Sequence, residues 1–416
     1  MLDINKIREN KEKIAKALLK RMKAADLNLD ELLALDDKRR KIITESEKLK
    51  AEKNKYSKKK PDKKIISEMK KVGERVKKLE LELKNIEVKL NEKLSQLPNI
   101  PADDVPAGGK ENNQVMRFYG EKPEFKFKEK DHIHLAKSLN LIDYERAVKM
   151  SGTNFWIYKG DGAILEWALL NYFIEFHKKN KYEFLLPPYL LNAESAYASG
   201  HLPKFRDDLF WTEDGLCLDA TSEMMIGNFH RDEILAEQDL PKKYFAYSAC
   251  FRREAGAYRT EERGILRGHQ FNKIEMFMLT KPENSWKAFE ELVHNAEELV
   301  KGLGLHAKTV LLAAGDASDA MSKTVDIEVW IPSIKMYKEV SSVSNALDYQ
   351  ARRGNIRFKN TITKKNEYVH TLNASGLATS RLLAAILEQH QKKDGSVEVP
   401  KVLRGFLGKK VIKGIK

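Results

Sequence analysis

Cysteine is almost missing from this 416-residue chain: Cys217 and Cys250 are its two thiols. They are too few and too far apart for a disulfide framework or a zinc-ligand spacing, and read as small buried residues of a reducing compartment. Long apolar runs are missing too, so no segment reads as a membrane span. The N-terminus, MLDINKIRENKEK, lacks the apolar centre of a signal peptide and the acid-poor character of a transit peptide, which points to the cytoplasm. No Gly-x-Gly-x-x-Gly or Gly-x-x-x-x-Gly-Lys precedes a helical pattern, which excludes Rossmann and P-loop nucleotide sites. Helix breakers are scarce at the start of the chain: before Pro98, the first 100 residues hold only Pro61 and Gly73.

What is present is uneven. Hydrophobic residues make up 42% of the chain, enough for an ordinary core, and the length suggests two or three domains. The net charge is +14, but residues 1–100 carry 29 Lys and Arg against 18 Asp and Glu, a surplus of 11. The basic end is either a solvated Lys-rich helix surface or an electrostatic footprint for a polyanion, and charge alone does not separate the two. From Met69 the apolar positions run Val72, Val76, Leu79, Leu83, Ile86, Leu90, in alternating steps of three and four that make a heptad seam. A weaker series, Leu35, Ile42, Leu49, Tyr56, precedes Pro61. Two helices folded back at Pro61-Asp62 satisfy both series, with coiled coil over about residues 28–97. Arms of about 30 residues would reach roughly 45 Å, with Lys53, Lys55, Lys58, Lys59, Lys60, Lys63 and Lys64 at the tip. An intermolecular coiled coil is the competing reading, and the central breaker argues against it.

Leu97-Pro98-Asn99-Ile100-Pro101 ends the helices, and residues 101–114 read as a linker. Beyond it short β-branched or aromatic runs alternate with helices. Strands are expected at Phe155–Tyr158, Tyr244–Cys250, Ile274–Leu279, Ile327–Ile331 and Tyr337–Ser341, and a helix at Gly162–His177. Several strands with few intervening helices imply an α+β domain over residues 115–416, an antiparallel sheet flanked by helices.

Three constellations carry chemistry. The first is Phe251-Arg252-Arg253-Glu254-Ala255-Gly256, a charged loop, then Arg267-Gly268-His269-Gln270-Phe271-Asn272-Lys273-Ile274-Glu275. A hairpin here would aim Arg252, Glu254, Phe271 and Glu275 into one cleft, supplying a fork for phosphate, a carboxylate for an amino group and a stacking face for a base. Alone, it also fits an exposed hairpin laced with salt bridges. The second is Lys338-Glu339-Val340-Ser341-Ser342, whose oxygens could hold Mg2+ or simply line a polar edge strand. The third is Asn373-Ala374-Ser375-Gly376-Leu377-Ala378 leading to Arg381 ahead of an apolar helix. An arginine there is better explained by a phosphate partner than by structure.

These segments resemble motifs 2 and 3 of the class II aminoacyl-tRNA synthetases, with the Glu-x-Ser-Ser segment of the serine enzymes. A motif 1-like stretch, Leu186-Pro187-Pro188-Tyr189, and the N-terminal arm extend the likeness over nearly the whole chain, to the seryl-tRNA synthetase family. The resemblance implies a serine–tRNA ligase: ATP-dependent formation of seryl-adenylate, then transfer to the 3′ end of tRNA(Ser), with tRNA(Sec) admitted as a second acceptor. It implies that Arg252 grips the ATP α-phosphate and the serine carboxylate, and that Arg381 holds the γ-phosphate. Glu254 would meet the adenine amino group and Phe271 its ring. Arg253, Gly268, Val340 and Ser341 would complete the ATP site, and Glu339 and Ser342 would be linked to Mg2+. Thr221-Ser222-Glu223 would receive serine's ammonium group, and Glu275 and Ser375 would line its side-chain pocket. It implies a homodimer whose basic helical arm binds the tRNA. A carrier-charging relative would lack the arm, and a non-catalytic paralogue would have lost Arg252, Glu254 or Arg381, all three of which are present. Departures from the family pattern are Met224-Met225, Arg253, Gly268, Val343, Ala346 and Ala374, which put pocket shape in question and leave the charged residues in place.

Overall fold

The computed structural model describes residues 1–56, 63–255 and 263–414, which form two compact units, Met1–Ile100 and Pro101–Lys416. The turn at Pro61-Asp62, the lysines at 58–60 and most of the charged loop after Gly256 lie outside the described residues.

The first unit is dominated by two long helices, α1 (Leu29–Tyr56) and α2 (Lys63–Gln96). They run antiparallel. Lys93 pairs with Glu31 at 2.9 Å near one end, and Arg75 with Glu45 at 2.7 Å further along. The heptad residues make the seam: Ile42, Leu79 and Ile86 are buried together, with Leu49 and Leu83 against them. Among the described residues of the arm, the buried charged side chain is Asp36. Burial alone would raise its carboxyl, but Arg8, Arg40 and Arg39 outweigh that and hold it below the usual range. The intramolecular hairpin therefore fits this unit better than a chain-to-chain coiled coil.

The second unit is built on one eight-stranded sheet. Its strands are β1 (Gln114–Tyr119), β2 (Glu183–Leu185), β3 (Lys242–Phe251), β4 (Gln270–Thr280), β5 (Ala307–Leu311), β6 (Lys323–Ile331), β7 (Met336–Leu347) and β8 (His370–Ala378). Their order is β1-β5-β6-β7-β8-β4-β3-β2. Every pairing is antiparallel except that of the edge strand β2 with β3. Three helices, α3 (Asp161–Lys179), α4 (Ser285–Gly302) and α5 (Thr379–Gln389), pack their apolar faces on it. This is the α+β architecture expected. The strands outrun the sequence reading where polar residues replace apolar ones, as in Gln270–Lys273 and Ser342–Asn345. One face of each of these ends lines a cleft with polar side chains, Lys273 on one and Ser342 and Ser344 on the other, so hydrophobic periodicity could not mark them. Between Phe155 and Tyr158 only Ile157–Tyr158 is strand.

Residues 101–114 are tied to the second unit. Ala102 N–H donates to Ser322 O at 2.9 Å, and Asn113 Oδ1 accepts from Ala313 N–H at 2.8 Å. Val105 is buried in its main core.

Candidate active site

The site lies on one face of the sheet, where β3, β4, β7 and β8 lie side by side. Alternation along a strand decides which residues reach it. On β4, Phe271, Lys273 and Glu275 share the cleft face, while Ile274 and Met276 enter the core. On β8, Asn373 and Ser375 line the cleft, and Ala374 turns to the core. On β7 a simple alternation would put Glu339 and Ser342 on opposite faces. The register shifts there: Ile327 pairs with Ser341 but Glu328 with Glu339, which leaves Val340 as the extra residue of a bulge. The bulge turns both Glu339 and Ser342 to the cleft.

Two adjoining cavities result. The larger, about 280 Å3, is lined by Thr221, Glu223, Arg252, Lys273, Glu275 and Ser375, among others. The smaller, about 80 Å3, takes in Arg252, Glu254, Gly268, Phe271, Val340 and Arg381. Arg252, Lys273, Glu339 and Ser375 border both. A wider groove of about 450 Å3 leads outward past Asp326, Glu328, Glu339, Ser342 and Arg381.

Arg252 follows the end of β3. Its Nε donates to Ala220 O at 3.2 Å, and its guanidinium sits 5.2 Å from the centre of the Phe271 ring. Arg381 is fixed by Leu266 O at 3.0 Å and Glu339 O at 2.8 Å. Glu254 pairs with Arg267. In the larger cavity Glu223 Oε1 accepts from Gln350 Nε2 at 2.7 Å, and Gln350 Oε1 accepts from Thr371 Oγ1 at 2.6 Å. Burial, reinforced by the neighbouring Glu275, pushes the Glu223 carboxyl up to about 7. Burial also pushes Asp326 well above the usual range, with Glu339 adding to it, and Asp326 Oδ1 has no hydrogen-bond partner.

Three residues singled out in the sequence do not line the cavities. Ser222 Oγ is 2.7 Å from Ser248 Oγ, buried away from the cleft. Ser341 Oγ donates to Ser375 O at 2.5 Å, because its neighbour Ser342 takes the cleft-facing position. Arg253 lies over the Phe210 ring at 5.6 Å. Two residues were missed. Lys273 is legible in hindsight, since it sits two residues from both Phe271 and Glu275. Asp326 comes from a different strand, opposite Ser342, and no local motif marks it. The departures also find places. A Cβ on Gly268 would stand 2.1 Å from Trp156 Cζ3, so the glycine makes room for that ring. Met224 and Met225 fill a buried cluster with Leu191 and Cys217.

An antiparallel sheet that presents two arginines and several carboxylates in adjoining cavities, with neither a Rossmann nor a P-loop nucleotide site, has the form of a class II aminoacyl-tRNA synthetase core. Residues 205–390 match the tRNA synthetase class II core domain (G, H, P, S and T), and residues 1–101 match the seryl-tRNA synthetase N-terminal domain. A serine–tRNA ligase 2 of Clostridium acetobutylicum is 56% identical over 98% of this chain and 99% of its own. A serine–tRNA ligase of Staphylococcus saprophyticus is 45% identical over 99% of each. The crystal structure of seryl-tRNA synthetase from Pyrococcus horikoshii complexed with ATP superposes with a TM-score of 0.94 at 35% identity, covering 100% of both chains. The chain belongs to the seryl-tRNA synthetase family.

Proposed function

We propose that the two cavities divide the first half of the family's reaction between them, with Arg252 at their junction. The enzyme is a serine–tRNA ligase: it activates L-serine with ATP to seryl-adenylate and transfers the seryl group to the 3′ end of tRNA(Ser). The larger cavity takes serine, its ammonium toward Thr221 and Glu223 and its hydroxyl toward Glu275 and Ser375. The smaller takes adenine, stacked on Phe271 with its amino group toward Glu254. Ser222, Ser341 and Arg253 act from behind these surfaces rather than on the ligands.

The observation that carries this reading is that Arg252 borders both cavities. From there it can hold the serine carboxylate and the α-phosphate in line, so that the carboxylate attacks phosphorus and pyrophosphate leaves. Arg381 steadies the far phosphates. The tRNA ribose hydroxyl then attacks the adenylate carbonyl and AMP departs. No covalent protein intermediate is needed; positioning and fixed charge do the work.

Glu339 and Ser342 would hold Mg2+, and the unpartnered Asp326 Oδ1 beside them suits a cation. Among the described residues no three acidic, His or Cys side chains converge on a point, so ATP phosphate oxygens would complete the shell, as this hard ion prefers. Mg2+ supplies charge neutralisation of the phosphates. We assign tRNA(Ser) to the basic arm, with tRNA(Sec) as a second acceptor, and the protein to the cytoplasm; no described helix is long and apolar enough to cross a membrane. A homodimer is supported by exposed apolar residues: Ile164 and Trp167, three apart on α3, and Phe184 and Leu186 on and just past the edge strand β2. Serine-dependent ATP–pyrophosphate exchange by the purified protein tests the activation step. Its absence, with ATP and Mg2+ in excess, would overturn the assignment of the cavities.

A further inference from the structure

We propose that Lys273 is a positioning residue of the serine pocket, whose ammonium group orients Glu275 and Thr221. The proposal rests on the reading of Glu275 as the partner of serine's hydroxyl.

Lys273 is almost wholly buried, and no solvent claims its charge. Its Nζ lies 2.5 Å from Glu275 Oε2 and 2.6 Å from Thr221 Oγ1. Thr221 Oγ1 and Ser375 Oγ approach the same Oε2, at 3.4 and 3.5 Å. Three residues assigned to serine thus meet at one carboxylate oxygen, which the Lys273 ammonium group holds. None of these contacts uses Glu275 Oε1, which is the atom we assign to the serine hydroxyl.

The pocket also needs the charge. Glu223 and Glu275 are both buried in this pocket, and Glu275 adds to the upward push on Glu223. Two buried carboxylates with no cation beside them are costly. Paired with Lys273, the Glu275 carboxylate is an acceptor alone, and therefore demands a donor from the ligand. Serine's hydroxyl supplies one; alanine's methyl leaves the acceptor buried and unpaired, which is the source of strong discrimination.

The experiment is a double-mutant cycle on Lys273→Met and Glu275→Gln, read by pyrophosphate exchange with serine, alanine and threonine. Lys273→Met should raise KM for serine about tenfold or more and shrink the serine-to-alanine ratio, with KM for ATP changed far less. The two substitutions should be strongly non-additive, because Glu275→Gln removes the charge that Lys273 serves. Additive losses would overturn the proposal while leaving the role of Glu275 intact. An unchanged serine-to-alanine ratio in Glu275→Gln alone would instead remove the reading beneath it, and the proposal with it. Thermal unfolding checks each variant; where Lys273→Met does not fold, Lys273→Arg keeps the charge and should retain the ratio, and its loss there counts against the proposal.

Discussion

Glu339 and Ser342 face the same groove although they stand three apart on β7, because the bulge at Val340 reverses the alternation between them. Asp326, opposite Ser342 across the ladder, completes an acidic corner. The Mg2+ assignment makes this corner testable. Glu339→Gln keeps the shape and removes one charge. It should raise the Mg2+ concentration needed for half-maximal exchange by about tenfold, the scale of one ligand-sphere change. An unchanged Mg2+ midpoint would place the cation elsewhere.

The arginines come next. Arg252→Ala and Arg381→Ala should each slow activation on the order of 10^2, about 3 kcal/mol, as when one preorganised charge-stabilising donor is lost. Single-turnover formation of seryl-adenylate measures it directly. Wild-type rates in either variant would end that residue's phosphate role.

Glu223 supplies a pH dependence. Its carboxyl is pushed up to about 7 in the ligand-free pocket, first by burial and then by Glu275. A carboxyl so raised is neutral below that pH, and only the ionised form attracts serine's ammonium. Serine should therefore bind more weakly as pH falls through about 7, with a proton released on binding in that range. The KM for serine between pH 6 and 8.5 reads this, with the KM for ATP as the control. A serine KM flat across this range would contradict the role given to Glu223.

Deleting residues 28–97 should leave serine activation close to normal and nearly abolish charging of tRNA(Ser). A gentler variant is Leu79→Ala, which truncates the centre of the hairpin seam beside Ile42 and Ile86. It should destabilise the arm by about 2–5 kcal/mol, the usual cost of such a cavity. Aminoacylation assays at rising salt would show whether the arm binds by backbone charge, since affinity would then fall steeply. A deletion mutant that charges tRNA normally would take the arm out of the reaction.

Trp167 is 55% exposed on α3. If that face joins two copies, Trp167→Lys should shift the protein from dimer to monomer in sedimentation at micromolar concentration. A wild-type chain that is monomeric and fully active would settle the matter the other way.

The sequence by itself determined the helical seam of the arm and the kind of core, and the paired helices decided that the seam closes within one chain. A heptad seam repeats every seven residues whatever surrounds it, so Leu79 and Ile86 announced their packing. Strand alternation is local, so Phe271 and Glu275 share a face by counting, while the chemistry of the charged segments came from their resemblance to the family motifs. The tertiary structure decided what counting could not. The bulge at Val340 moved Glu339 onto the face of Ser342 and left Ser341 behind it, bonded to Ser375 O. Asp326 reached the same corner from another strand. Lys273 was visible in position yet silent in meaning, because its role depends on Thr221 and Glu275 meeting its ammonium group across separate segments. Local periodicity is written in the chain; convergence of charges from distant strands exists only once the sheet has closed around them.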